Sequence, residues 1–423
     1  MKNKVLKNSF WLIYDKVFRL LGIVIFNLLL ANNLGADFVG EYHFIIAVSY
    51  IFYAISLFGL NDILIKELVS LKYSISELLT NSLILRLIVG MLLYILIIII
   101  TFCLSGYTEI NLLYLLIVGL QLFFQPFQVL TTYFDSQINS RITVIFRNIA
   151  VSISVILRIL LVLFYPDLRL ILLAYIIEPF LEGLILFIYF QKNILTLKLK
   201  DFKVSIIKYL IKQSGPIAFA SIFYIMYAKL DQLMLGFMVS KYELGNYSMA
   251  VRFAEISFFI PIAYSKSLFP KIVAFKEDKQ KYNKMITKAM KLLFRISLCI
   301  SLVMLIIPDS FFTYILGEDM VNVSIPFKIL IFSSIMVYIG SLSYIWYLSE
   351  GYQNYIMYNT VYGLLFNIIL NLILIHYYGI IGAAVATLLA KILANYIIHA
   401  FRKDTREIFY IQTKSIFNFK LNS

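Results

Sequence analysis

The sequence predicts an all-α membrane protein of about twelve transmembrane helices, in two six-helix lobes related by a parallel pseudo-two-fold axis with a central cleft. Three observations carry that prediction. The 423 residues are 61% hydrophobic and only 14% charged, with a mean hydropathy of +0.88, far more apolar than a soluble core requires. The cations alternate from loop to loop. A short motif recurs six spans apart.

A hydrocarbon layer roughly 30 Å thick asks for about 20 apolar residues per helix. Runs of that order fall at 10–31, 42–62, 80–104, 112–133, 148–165 and 170–190, and then at 214–238, 246–269, 292–313, 325–347, 356–377 and 380–400. Lipid offers the backbone no hydrogen-bond partner, so each run must close its own bonds as a helix. The connections leave no room for a sizeable soluble domain. The longest, 191–213 and 271–291, are lysine-rich, and the first divides the chain into lobes of residues 1–200 and 201–423. Pro126, Pro179, Pro216, Pro261 and Pro326 fall in or at the start of spans, where a proline can kink a helix.

The formal net charge of +14 raises the question of nucleic acid, yet no basic stretch has the aromatic interleaving or Gly-rich loops of a nucleic-acid module. The distribution of the cations points to topology. With the N-terminus in the cytoplasm, the inner loops receive Lys2, Lys4 and Lys7, then Lys66 and Lys72, Arg141 and Arg147, runs from Lys192 to Lys212 and from Lys271 to Lys291, and Arg402, Lys403 and Arg406. The outer loops hold only Arg169 and Lys241. This positive-inside bias predicts an even number of spans with both termini cytoplasmic. The first span lacks a small-residue cleavage site and is expected to be retained.

Phe38-Val39-Gly40-Glu41-Tyr42 enters the second span and Glu243-Leu244-Gly245-Asn246-Tyr247 the eighth, with Gly and Tyr at the same offset. Six intervening spans put both copies on the same side, which makes the repeat parallel.

Charged side chains inside spans cost roughly 2.5–3.5 kcal/mol each on insertion scales, so they mark bundle interiors or wet cavities. Asp15 and Arg19 in the first span share a face at i, i+4. Lys229 and Asp231 lie in the seventh, Arg252 and Glu255 in the eighth, and Asp231 and Arg252 fall at similar depth, where a salt bridge is expected. Arg86 and Arg158 lie deep, either paired with Glu178 or Glu182 or facing a lumen. Lys266, Lys328 and Lys391 lie near span ends and are expected to snorkel. These candidates include more cations than acids, and a cationic, partly hydrated lumen suits an anionic cargo such as a pyrophosphate-linked headgroup. Gln121, Gln125 and Gln128 form a polar stripe suited to interhelical hydrogen bonds. Cys103 and Cys299 read as small core residues. His43, His376 and His399 are far apart, and no Walker loop or nucleophile elbow is present, so neither an enzyme nor a resident cofactor is expected.

Leu34-Gly35-Ala36-Asp37-Phe38-Val39-Gly40-Glu41-Tyr42 with Gly59-Leu60, Lys229-Leu230-Asp231-Gln232 followed by Leu244 to Arg252, and Gly379-Ile380-Ile381-Gly382-Ala383-Ala384 together resemble the Wzx-type O-antigen or capsule repeat-unit flippases, the polysaccharide transporter branch of the MOP superfamily. Asn32 and Asn33 stand where relatives often carry an Arg, so no role is carried to that position. The resemblance implies transfer of an undecaprenyl-pyrophosphate-linked oligosaccharide from the cytoplasmic to the periplasmic leaflet by alternating opening of two lobes, driven by an ion gradient. It places Asp231 and Arg252 in a charged cleft. Implied partners are the lipid-linked oligosaccharide, membrane lipids, and the polysaccharide polymerase with its chain-length regulator. Two other readings compete. A multidrug/cation antiporter of the same superfamily would favour a protonatable acid in a hydrophobic lobe pocket, and an O-antigen polymerase would carry a large external loop.

Overall fold

A computed structural model describes residues 2–70, 73–104 and 112–417. Lys72 lies outside them, as do the side chains of Lys2, Lys4, Lys7 and Pro216. Every regular element among the described residues is helical.

By its contacts the chain forms two units, Met1–Leu34 with Tyr42–Ile225, and Gly35–Glu41 with Met226–Ser423. The lysine-rich loop had placed the division at 200. The first unit is built from most of α1 (Lys2–Leu57), α2 (Leu60–Ser70), α3 (Ile75–Leu104), α4 (Leu112–Gly119), α5 (Gln121–Phe124), α6 (Gln128–Ser136), α7 (Ser140–Phe164), α8 (Leu168–Asn193) and the first part of α9 (Val204–Met238). The second holds the rest of α9, then α10 (Lys241–Glu255), α11 (Phe259–Ala274), α12 (Lys279–Leu305), α13 (Asp309–Leu316), α14 (Ser324–Glu350), α15 (Gln353–Asn395) and α16 (Arg406–Phe417).

Eight described helical stretches are long and apolar enough to cross a membrane, or nine if bent α12 and α13 count as one. Two of them exceed any bilayer. Phe10–Ser70 is 61 residues long, about 90 Å of ideal helix against a hydrocarbon layer of roughly 30 Å. It is broken at Gly35, whose φ of 76° is open to glycine and strained for other residues, and again at Phe58 and Gly59. The stretch Gln353–Ala400 is likewise broken at Gly379.

The outer faces suit lipid. On α3, Ile88, Leu92, Ile95 and Ile99 are exposed at helical spacing, and on α7 Ile149, Ile153, Ile156 and Leu160 repeat the pattern. Cys103 and Cys299 are free thiols on exposed positions, not the core residues expected of them, because each faces outward from its helix with apolar neighbours such as Phe102 and Leu302. Between helices in lipid, close packing and polar bonds replace the hydrophobic effect. Leu64, Leu79, Val129, Phe134 and Phe190 interlock in the first unit, and Ile286, Met290, Tyr338 and Trp346 in the second. Ser154 on α7 donates to the Ala174 carbonyl of α8 at 2.7 Å, and Ser301 on α12 to Ile331 of α14 at 3.0 Å.

Candidate functional site

In the first unit six charged side chains gather on three helices. Asp15 of α1 pairs with Arg19 at 3.4 Å, as the i, i+4 spacing predicts, and with Arg147 of α7 at 3.3 Å. Arg147 turns its Nε to Glu182 of α8 at 2.8 Å. About three turns further along α7, Arg158 lies 3.9 Å from Glu178, so this pair forms as one of the two expected options. Arg158 also donates to the Tyr42 hydroxyl at 3.4 Å and lies over the Phe26 ring at 4.8 Å. Three arginines therefore meet three carboxylates, and the expected cation excess is absent from this cluster. Asp15 is only 2% exposed, which makes such pairing necessary.

Arg86 follows neither expected option. Its side chain is fully buried, no carboxylate pairs with it among the described residues, and its Nη2 donates to the Leu57 carbonyl at 3.3 Å and to Asn61 Oδ1 at 2.7 Å. The cause is the break at Phe58 and Gly59, which leaves the last carbonyls of α1 without intrahelical partners and gives the guanidinium a helix end to cap. Two members of the glutamine stripe, Gln125 and Gln128, are interhelical as expected. Gln128 accepts from Tyr53 at 3.1 Å, while Gln125 donates to the Tyr53 carbonyl and accepts from Ser56.

In the second unit the expected Asp231–Arg252 salt bridge is not formed. Asp231 of α9 accepts from the Tyr247 hydroxyl at 2.5 Å, from its neighbour's amide, Gln232 N, at 2.8 Å, and from Thr387 of α15 at 3.4 Å. Tyr247 and Arg252 both lie on α10, but five residues turn the arginine about 140° away from the tyrosine's face, and Arg252 Nε is buried without a hydrogen-bond partner. Lys229 and Glu255 are half-buried; two residues before Asp231 on α9, Lys229 points to a different side of the helix. Lys391 does not snorkel. It donates to the fully buried Ser333 at 3.1 Å and lies 5.2 Å from the Phe258 ring centroid. Lys328 reaches Asp309 at 2.7 Å, and Lys266 is exposed.

The residues that sequence reasoning missed are Arg147, Tyr42, Tyr247 and Thr387. Arg147 had been assigned to a loop because hydropathy started the fifth span at 148, whereas α7 begins at Ser140. The tyrosines carried a signal, since both belong to the internal repeat. Tyr42 meets the buried Arg158 of its unit and Tyr247 the buried Asp231 of its own. The glycines of the two motifs also meet, within the second unit. A Cβ at Gly40 would fall 1.9 Å from the Lys241 carbonyl oxygen, and one at Gly245 2.0 Å from that of Ala36. No group of three or more His, Cys, Asp or Glu side chains able to hold a metal ion occurs among the described residues.

Solved transporter structures share this helical fold. The solved structure of lipid II flippase MurJ in an inward closed conformation is similar over 97% of this chain and 91% of its own, with a TM-score of 0.77 at 16% identity. An inward-facing multidrug resistance MATE family transporter of the MOP superfamily is similar over 95% of this chain and 96% of its own, with a TM-score of 0.68 at 14% identity. The fold is that of the MOP superfamily. The chain belongs to the polysaccharide biosynthesis protein family, whose model matches residues 5–276, while the MatE model matches residues 216–373. Among curated relatives, the probable flippase AglR of Haloferax volcanii is 34% identical over 182 residues, which is 40% of this chain and 36% of that relative's length.

Proposed function

We propose that this protein is a flippase and not an enzyme: it carries an undecaprenyl-pyrophosphate-linked oligosaccharide repeat unit from the cytoplasmic to the periplasmic leaflet of a bacterial inner membrane, for O-antigen or capsule assembly. Twelve spans in two lobes, both termini cytoplasmic, open alternately to the two sides. The observation that carries the reading is the set of ion pairs buried among apolar helices, from Asp15 through Arg147 to Glu182 and from Arg158 to Glu178. A scaffold that only faced lipid has no use for them, and each is costly to insert. Membership of the polysaccharide biosynthesis family supports a glycan-bearing cargo. In the second unit, Asp231 is buried and accepts from two hydroxyls, which suits a group that takes up and releases a coupling proton or cation. The polymerase and chain-length regulator of the same polysaccharide are the proposed partners.

Deleting the gene in its host tests the reading. Single lipid-linked repeats trapped on the cytoplasmic leaflet support it, and repeats that reach the periplasmic leaflet but stay unpolymerised replace it with a polymerase. The MatE match over residues 216–373 and the buried Asp231 favour a second reading, a cation-coupled antiporter of small molecules. That one requires cation-dependent efflux of a soluble drug from proteoliposomes.

A further inference from the structure

The helix α16 packs one face on the second unit and turns the other outward. Ile408, Ile411, Gln412 and Ser415 are buried. Arg406, Tyr410, Lys414 and Phe417 are exposed, and at 100° per residue they fall within about 80° of one another on the opposite side. Cation and ring alternate along this stripe, which holds no acid. The two acids nearby are engaged elsewhere. Glu407 accepts from Asn283 of α12 at 2.7 Å and pairs with Lys279 at 3.5 Å, and Asp404 accepts from Tyr355 at 2.7 Å. Lys284 and Lys288 of α12 are also exposed, each one position beyond a residue that α16 touches, Asn283 and Thr287.

The depth of the helix says what lies against the stripe. Gln412 donates to Ser343 Oγ and to the Asn395 carbonyl, each at 2.8 Å, and meets His399 Nδ1 at 2.9 Å. Ser343 precedes Glu350, the end of α14, by about 10 Å of helix, within a stretch long and apolar enough to cross the membrane. α16 therefore runs beside the last turns of a span, and its outer stripe meets the headgroup layer there. Tyr410 and Phe417 leave 66% and 73% of their surfaces uncovered, which is unfavourable in water and is relieved at a lipid boundary. Arginine and lysine at that boundary extend toward phosphate. A zwitterionic headgroup brings its own cation and leaves the stripe's charge uncompensated, whereas an anionic one neutralises it. A soluble partner would first have to displace lipid.

We infer that the outer face of α16 binds anionic phospholipid headgroups, in the leaflet at the edge where the loop from Lys271 to Lys291 lies. The inference goes beyond the flippase reading and stands apart from it, because it is read without transport. The test uses the full-length protein with Cys103→Ser and Cys299→Ser, so that a fluorophore on Tyr410→Cys reports from the stripe alone. This parent is placed in mixed nanodiscs of phosphatidylcholine and phosphatidylglycerol, with a trace of either lipid bearing a nitroxide quencher. Labelled phosphatidylglycerol should quench at a mole fraction about fivefold lower than labelled phosphatidylcholine, the factor given by about 1 kcal/mol of attraction for a cation near an anionic surface. High salt should shrink the difference. Adding Arg406→Gln and Lys414→Gln should bring the two quenchers within about twofold, with thermal unfolding in phosphatidylcholine alone unchanged because both side chains are exposed. Lys198→Gln with Lys200→Gln removes the same charge from exposed positions of the first unit and should leave the preference intact. Equal quenching by both lipids in the parent overturns the inference, as does a preference that survives Arg406→Gln with Lys414→Gln, or one lost equally with Lys198→Gln and Lys200→Gln. Emission typical of water with no quenching by either lipid also overturns it, and would give this face to a protein partner.

Discussion

Arg147 is the cation on which the first unit's charge cluster depends, and removing it tests the reading most directly. Its guanidinium lies 2.8 Å from Glu182 and 3.3 Å from Asp15, acids that are 7% and 2% exposed. Arg147→Met keeps most of the apolar stem and leaves two buried carboxylates. Asp15 retains Arg19, at 3.4 Å and more than a third exposed, whereas Glu182 loses its ion-pair partner. Breaking a buried pair from one side costs roughly 3–5 kcal/mol, because the remaining charge is left uncompensated. The lower end applies here, since helices unfolded within a micelle still find polar partners. We therefore expect a loss of about 3 kcal/mol in denaturant titrations of the purified protein, followed by tryptophan fluorescence. The triple variant Asp15→Asn, Arg147→Met, Glu182→Gln removes the charges together and should return to within about 1 kcal/mol of the unaltered protein. That variant should still fail to export polysaccharide. An Arg147→Met protein as stable as the parent would refute the argument, because the acids would then have water or other partners.

At the glycine crossing, Gly245→Ala places a methyl group 2.0 Å from the Ala36 oxygen and should cost roughly 1–3 kcal/mol in the same titration, whereas Gly215→Ala, with nothing within 4 Å, should be neutral or stabilising. Asp278 caps α12 by accepting from Lys281 N at 3.1 Å, and the Lys281 side chain holds its carboxyl below the usual aspartate range. A depressed folded-state value means that its stabilising effect is present above the ordinary aspartate pKa and is lost as pH falls through the folded one, so first-turn amide protection in α12 should drop in acid. Asp278→Asn should flatten that dependence. Tyr42→Phe, which removes a hydroxyl from Arg158, should weaken cargo binding about tenfold with little change in ion dependence, and Tyr247→Phe beside Asp231 should do the reverse, both read in proteoliposome transport.

Much of this was legible in the sequence because lipid imposes simple rules. Span length, loop charge and the cost of buried ions marked the helices and singled out Asp15, Arg19, Arg158 and Asp231. The Asp15–Arg19 pair followed from one helical turn, and the Arg158–Glu178 contact from two deep charges of opposite sign. What failed was azimuth and register. Depth in the membrane made Arg252 a partner for Asp231, but depth does not say which side of α10 faces α9, and Tyr247 holds that side. Hydropathy began the fifth span one residue after Arg147, so a central member of the cluster was counted as a loop cation. Arg86 was misread because its partner is a backbone carbonyl freed by a break at Gly59, and such breaks are set by tertiary packing: a Cβ on Gly59 would lie 2.6 Å from Ala218 N.

The internal repeat bears on how labour is divided between the halves. Tyr42 and Tyr247 hold equivalent places in the two motifs, yet one phenol accepts from an arginine and the other donates to an aspartate. A tyrosine hydroxyl does both without changing its own charge, so duplication could preserve the Gly-x-Tyr frame while each copy acquired a charge of opposite sign. Arg158 is only loosely neutralised, with Glu178 at 3.9 Å and aromatic faces of Phe26 and Tyr175 at 4.8 and 5.6 Å supplying the rest. Rings stabilise a guanidinium without cancelling its charge, which leaves it able to attract a phosphate. Asp231, bonded to hydroxyls and an amide, is likewise left able to attract a cation. Under the proposed function the first unit is thus suited to the anionic headgroup and the second to the coupling ion, and the same backbone frame serves both because the residue it conserves is indifferent to the sign of its partner.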